Sequence, residues 1–101
     1  MAITTTRTEI VFVQEAIKHG NYIRAILREK EPILIKIRDS IVIENIDSGK
    51  REMLVITQIN YTYENKELIF FDMKTISFNL KETIDDGQII IYYDLFSLWQ
   101  L

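Results

Sequence analysis

The fold is decided by three apolar runs, which read ILIKIR at residues 33–38, IVIENI at 41–46 and IIIYY at 89–93. Isoleucine supplies 19 of the 101 residues, and most of it falls in alternating runs of this kind. β-branched side chains are stiff about χ1 and fit the pleated, half-buried surface of a sheet. The sequence therefore predicts a chain that is mostly antiparallel sheet.

Turn signals separate these runs into six predicted strands. Asp47-Ser48-Gly49-Lys50 and Asp85-Asp86-Gly87 are typical hairpin turns, because glycine accepts a positive φ and aspartate bonds to its own backbone. A further turn is predicted at residues 64–67. Asp94 is expected to cap a last helical turn over residues 95–101. The predicted strands cover residues 33–38, 41–46, 52–63, 68–72, 75–81 and 88–93.

The N-terminal third of the chain has a different periodicity. Residues 3–13 are rich in threonine and valine and favour the start of a strand. Beyond them, apolar residues recur at helical intervals, at Val13, Ala16, Ile17, Gly20, Ile23 and Leu27. We expect a helix that ends at Glu29 or Lys30, because Pro32 follows and cannot sit in a helix interior. The alternative is a helix that ends at His19, followed by a strand over residues 22–28.

These elements together predict an α+β fold for a single domain, residues 1–101. An N-terminal helix would be followed by a strongly bent antiparallel meander of five to six strands. An open meander exposes two strand edges, and a sheet that curls on itself removes them. We therefore expect a small barrel of the Sm or SH3 type with the helix over one end.

Composition narrows the classes of function. The formal net charge of −3 disfavours a dedicated nucleic-acid binder. With one histidine, His19, and no cysteine, the chain offers no recognisable nucleophile and base pair. We predict a non-enzymatic protein with no metal and no cofactor. The sequence shows neither a membrane-length apolar run nor a signal peptide, so we expect a cytoplasmic protein with no membrane partner.

The stretch YIRAILREKEPILI at residues 22–35 resembles the start of Sm-like RNA-binding proteins of the Hfq type. In that family a short basic helix leads into the first strand of a small barrel. The stretch FDMKTIS at residues 71–77 is similar to the family's closing strands, although the family's Tyr-Lys-His trio is replaced. The same helix-then-barrel order is similar to the Sm-like core of WYL domains. The family forms rings that bind RNA, so the resemblance implies RNA contacts at Arg24, Arg28, Lys30 and Lys74.

The C-terminal segment suggests an interface. It concentrates large apolar side chains at Leu95, Phe96, Leu98 and Trp99. Such residues are enriched in interface cores, so we expect a homo-oligomer, most simply a symmetric dimer, although the segment could instead fold back on its own core. Acidic residues nearby are predicted to steer the protein toward a basic partner, and these are Glu82, Asp85, Asp86 and Asp94.

The leading interpretation is a small oligomeric interaction protein, a regulator, adaptor or inhibitor that occludes a surface of a macromolecular partner. The first alternative is an Sm-like RNA-binding ring. A further alternative is a barrel that binds a small molecule in its interior or between subunits.

Overall fold

A computed structural model describes the backbone of residues 2–76 and 88–100, and the side-chain environment of residues 6–76 and 88–95. Every regular element in these ranges is a β-strand, and no described residue is helical. The strands are β1 (Ala2–Val13), β2 (Glu15–His19), β3 (Tyr22–Glu29), β4 (Ser40–Asn45), β5 (Arg51–Glu64), β6 (Glu67–Thr75) and β7 (Ile89–Gln100).

The strands form one open sheet in the order β1-β7-β4-β5-β6-β3-β2, and all of its neighbours are antiparallel. Strand β5 belongs to both halves of the sheet, because residues 51–55 pair with β4 and residues 56–64 pair with β6. The outermost strands, β1 and β2, are consecutive in the chain. They are separated by Gln14, whose N–H donates to the Ile26 carbonyl at 2.9 Å.

The predicted N-terminal helix is wrong, and with it the α+β class and the helix-capped barrel. Residues 15–29 form the β2–β3 hairpin, which turns at Gly20 with a φ of +57°. Ile23, Ala25 and Leu27 alternate with outward residues and are buried, because β3 also pairs with β6. The apolar spacing here fits a period of two as well as a helical period, and the long-range partner β6 decides between them. The alternative prediction of a strand over residues 22–28 is confirmed, but its helix is not.

Residues 33–38 are also not a strand, although they alternate. They belong to the connection from β3 to β4, whose buried side chains are Ile33 and Ile35. The Tyr61 hydroxyl donates to the Ile35 carbonyl at 2.7 Å, and the Leu34 N–H donates to the Tyr93 hydroxyl at 3.3 Å. The alternating apolar residues therefore belong to a loop that packs against the core, and its backbone bonds to side chains and, through the Arg38 N–H, to the Ile56 carbonyl at 2.7 Å.

The middle of the chain confirms the sequence-based prediction. Strands β4, β5 and most of β6 lie where alternation placed them, and the turn at 47–50 is present. Gly49 has a φ of +74°, and its N–H donates to the Asn45 carbonyl at 2.8 Å. The Asn45 side-chain oxygen accepts hydrogen bonds from the N–H groups of Asp47 and Ser48, which explains why a buried asparagine ends β4. The turn at 64–67 is present, with Asn65 and Lys66 at positive φ.

The C-terminal helical turn is wrong, since residues 89–100 form one strand that pairs with β1 along its whole length. The predicted strand at 75–81 lies mostly outside the described residues, and the Asp85-Asp86-Gly87 turn lies wholly outside them. The buried side chains form one core that draws on every strand except β2, led by Phe71, Ile23, Ile41, Ile43, Leu54, Ile56, Leu68, Met73, Ile89 and Ile91.

Candidate functional site

Alternate side chains of each strand point away from this core and make two outer faces. One face belongs to the four neighbouring strands β1, β7, β4 and β5. The other belongs to β2, β3, β6 and the second half of β5. Because side chains alternate strictly along a strand, the register of the pairs tells which residues stand side by side on each face.

The first face carries a row of apolar side chains across all four strands. Ile10 of β1 pairs with Tyr92 of β7, which pairs with Val42 of β4, which in turn pairs with Met53 of β5. Phe12 and Ile90 stand beside this row as the next outward pair. We call these six residues the outer apolar face: Ile10, Phe12, Val42, Met53, Ile90 and Tyr92.

The large side chains on this face are strongly exposed. Met53 is 70% exposed, Phe12 67% and Ile10 52%. Single exposed apolar residues are ordinary on any protein surface. Here they occupy neighbouring positions on one side of one sheet, which makes this contiguous apolar patch a candidate interaction surface.

The only charges that share these two outward rows neutralise one another. Arg51 donates to the Glu44 carboxylate, and the Tyr92 hydroxyl donates to Glu44 Oε2 at 3.1 Å. The Arg51 guanidinium also lies 5.7 Å from the centroid of the Tyr92 ring. The hydrogen bond from Arg51 holds the pKa of Glu44 below its ordinary value. This internally satisfied cluster allows an apolar partner to approach without leaving a charge unpaired.

A shallow groove of about 300 Å³ crosses the same face. Its lining includes Ser40 and Val42 of β4, with the bulkier Met53, Arg51 and Tyr92 around them. Asp94, one of the predicted acidic steering residues, lies at one end and accepts a 2.9 Å hydrogen bond from the Thr8 hydroxyl. The groove makes the outer apolar face concave at this point.

The second face is polar, and it contains most of the predicted RNA contacts. Arg24 makes a bidentate pair with Asp72, at 2.8 and 3.1 Å, and its guanidinium lies 4.2 Å from the centroid of the Phe70 ring. Arg24 lowers the pKa of Asp72. Arg28 pairs with Glu67 at 3.2 Å. We call this set the outer polar face: Tyr22, Arg24, Arg28, Glu67, Asp72 and Lys74.

The structure thus brings Arg24, Arg28 and Lys74 to one face, but the two arginines are already paired with carboxylates. Lys74 is exposed and lies opposite Tyr22 in the register. Lys30 follows the end of β3. The guanidinium groups of Arg24 and Arg28 each already hold a carboxylate, which partly neutralises the positive charge that they offer to a phosphate.

The predicted C-terminal interface residues have a different setting. Leu95 is half-buried and lines an open cleft of about 470 Å³ between the β1–β7 pair and the loop at 31–34. The backbones of the other three lie in β7 and pair with β1, with Phe96 opposite Thr6, Leu98 opposite Thr4 and Trp99 opposite Ile3 in the register. The remaining acidic residues, Glu82, Asp85 and Asp86, lie outside the described residues. The assignment of these residues to an interface stays a prediction.

Sequence reasoning missed the outer apolar face. The available signal was the run IVFV at residues 10–13, which has no polar alternate and therefore must expose apolar groups on one side of β1. The sequence alone could not predict that Met53 belongs to this face, because its position there depends on the order of strands that are distant in sequence. Within the described ranges, no group of three or more His, Cys, Asp or Glu side chains is placed to hold a metal ion.

The chain has no match among protein-family models, curated proteins or solved structures. Among the residues that the structure describes, no helix has the length and apolarity needed to cross a bilayer. The functional interpretation therefore rests on the physical chemistry of the two outer faces and the cleft.

Proposed function

We propose that this chain is a non-enzymatic interaction protein that occludes a surface of a macromolecular partner through its outer apolar face. The observation that carries the proposal is the exposure of Ile10, Phe12 and Met53 on one side of one sheet. Water-exposed apolar area is unfavourable by roughly 25 cal/mol per Å², so a partner that covers this face gains free energy.

The shape of the face suits a folded protein partner. The four strands and two rows of this face cover roughly 20 by 14 Å at ordinary strand spacing, or roughly 20 by 20 Å with the adjoining row of Thr8, Asp94 and Ser40. The face combines aromatic and methionine side chains and has Arg51 beside it, which is the composition typical of interface centres. Asp94 at its edge is one of the acidic groups that we expect to steer a basic partner into place.

The RNA-binding alternative has less support, because the basic segment is a strand whose two arginines are held by Asp72 and Glu67. The small-molecule alternative is favoured by one observation, the cleft beside Leu95, whose volume falls in the range of ligand sites. That cleft is lined by Arg7, Glu9 and Glu31 and is open on one side, whereas ligand sites are mostly apolar and enclosed.

A capture experiment tests the proposal. The protein is immobilised and exposed to extract from its source cells, in parallel with the variant Phe12→Ser/Met53→Ser and the control Ile17→Ser/Ile76→Ser. The control residues are also exposed apolar side chains, 41% and 64%, and lie outside the outer apolar face. We expect at least one protein to be retained by the wild type and the control and lost by the face variant.

The proposal fails if both variants retain the same proteins as the wild type. A bound small molecule that copurifies with the protein, and that is lost when Leu34→Glu narrows the cleft, would instead support the small-molecule alternative.

A further inference from the structure

We propose that, when no partner is present, a second copy of this chain covers the outer apolar face through a two-fold axis that runs parallel to the strands between β7 and β4. The inference rests on the proposed function, because it assigns the same face to a second occupant. It predicts that self-association and partner binding exclude one another.

The two lateral halves of the face complement each other under this rotation. The axis exchanges β1 with β5 and β7 with β4. Ile10 then lies over the second copy's Met53, and Tyr92 lies over the second copy's Val42, since these four residues share one row. The two most protruding apolar groups of that row thereby cover each other twice in one dimer, as an isologous interface requires.

The polar groups of the face also tolerate this arrangement. Phe12 stands in the row of Arg51 and would be placed over its guanidinium, which is 64% exposed and already contacts Tyr92 on another side. An aromatic ring over a guanidinium is a favourable contact. Glu44 would lie against Ile90 while it keeps its hydrogen bonds from Arg51 and Tyr92. No like charges face each other.

A two-fold axis perpendicular to the first, also in the plane of the face, gives less favourable contacts. This axis is perpendicular to the strands and runs along the row of Tyr92. It places each strand over the same strand of the second copy, so that the row on one side of Tyr92 lies over the row on its other side. It places the carboxylate of Asp94 over Ile90, and Thr8 over Phe12. That arrangement buries the Asp94 carboxylate, which has one hydrogen bond, from Thr8. Under the first axis Glu44 keeps two hydrogen bonds, from Arg51 and Tyr92, so its burial against Ile90 costs less free energy.

The size of the face sets the strength that we expect. With the adjoining row of Thr8, Asp94 and Ser40 included, two copies bury about 800 Å² of flat area, which is below the value of about 1,000 Å² for stable specific interfaces. The dimer should therefore be weak and reversible, with a dissociation constant in the micromolar range, about 10⁻⁶ to 10⁻⁴ M. A weak dimer protects the face from nonspecific contacts and yields to a tighter partner.

Sedimentation of four proteins tests the inference: the wild type, Ile10→Lys, Met53→Glu and the double variant Ile10→Lys/Met53→Glu. The wild type should shift with concentration from the mass of one chain, 12.0 kDa, to that of two. Each single variant should weaken association by at least about tenfold, because it places a charge against an apolar partner group. The double variant should recover association, since each new lysine meets a glutamate of the other copy.

This recovery is specific for a second copy in the stated orientation. Within one chain, positions 10 and 53 lie on strands separated by two others, about 14 Å apart, which is too far for an ion pair. Ile17→Lys and Ile76→Glu serve as matched controls and should leave association unchanged. Circular dichroism shows that each variant retains its fold.

A wild type that stays monomeric at millimolar concentration would overturn the inference. So would single variants that associate like the wild type, or a double variant that remains dissociated. None of these results affects the capture experiment, which tests the proposed function independently. If a captured partner binds without reducing self-association, the claim that both use one face is wrong.

Discussion

The outer apolar face and the outer polar face belong to the same sheet, and strand β5 runs through both of its halves. The side chains that they expose to water differ in polarity. On the polar face Arg24 and Arg28 each have a carboxylate, and Phe70 lies beneath a guanidinium. On the apolar face Phe12 and Met53 have most of their surface in water. One face is suited to remain hydrated, whereas the other is suited to be covered.

The core does not require this difference. Both faces point away from the same buried cluster, and the inward residues of every strand except β2 form that cluster. Outward positions of a sheet tolerate polar residues at little cost in stability. The proposed binding role accounts for the exposure of Ile10, Phe12 and Met53, and each prediction below tests whether the two faces differ as described.

The largest effect should come from the core that supports both faces. Phe71 is fully buried and its ring lies 5.7 Å from that of Tyr61, whereas the neighbouring Phe70 points outward beneath Arg24. Phe71→Ala should lower the free energy of unfolding by about 3–5 kcal/mol. Urea denaturation measures this loss. Phe70→Ala is the control and should lose less than half as much, and equal losses would contradict the assigned inward and outward directions.

Polar substitutions on the outer apolar face should change binding far more than stability. Ile10→Ser/Phe12→Ser/Met53→Ser should strongly reduce the fluorescence of a dye that binds exposed apolar surface, because it removes the three most exposed groups of the patch. Its free energy of unfolding should change by no more than about 1 kcal/mol. Ile17→Ser/Ile76→Ser should leave the dye signal nearly unchanged. A face variant that unfolds would show that these side chains are structural.

The polar face should lose stability in acid. The pKa of Asp72 is held below its ordinary value by Arg24, so the folded state binds the proton of this carboxyl less readily than the unfolded state. The stabilisation is present above about pH 4, the ordinary value, and is lost as the pH falls through the lowered pKa of the folded state. Melting temperatures from pH 6 to pH 2 should therefore fall less steeply in Asp72→Asn than in the wild type. Parallel curves would show that the pair contributes no such linkage.

The smallest effect is expected from Tyr92→Phe, which removes the hydroxyl that donates to Glu44 while Arg51 still holds the carboxylate. The melting temperature should fall less than in any variant above, and partner capture should be retained, because the ring stays in place. Loss of capture would show that the hydroxyl itself contacts the partner.

The sequence predicted a strand start in residues 3–13, the strands in the middle of the chain and a strand at 88–93, but not the hairpin at 15–29 or the extension of β7 to Gln100. Strand β4 and the turn after it were predictable because alternation and the Gly49 signal agree locally. The hairpin at 15–29 was not, since its apolar spacing fits a helix equally well and only pairing with the distant β6 selects a strand. Residues 33–38 alternate like a strand but pack as a loop. The outer apolar face depends on the strand order, which places Ile10 and Met53 in one row although 42 residues of chain separate them.

The most direct test of the outer apolar face is methyl NMR of the protein with the partner obtained by capture. The methyl signals of Met53 and Ile10 should shift or broaden as the partner is added, and that of Ile17 should stay in place, because only the first two belong to the covered surface. A partner that moves the Ile17 signal and leaves Met53 and Ile10 unchanged would contradict the assignment of the outer apolar face as the binding surface.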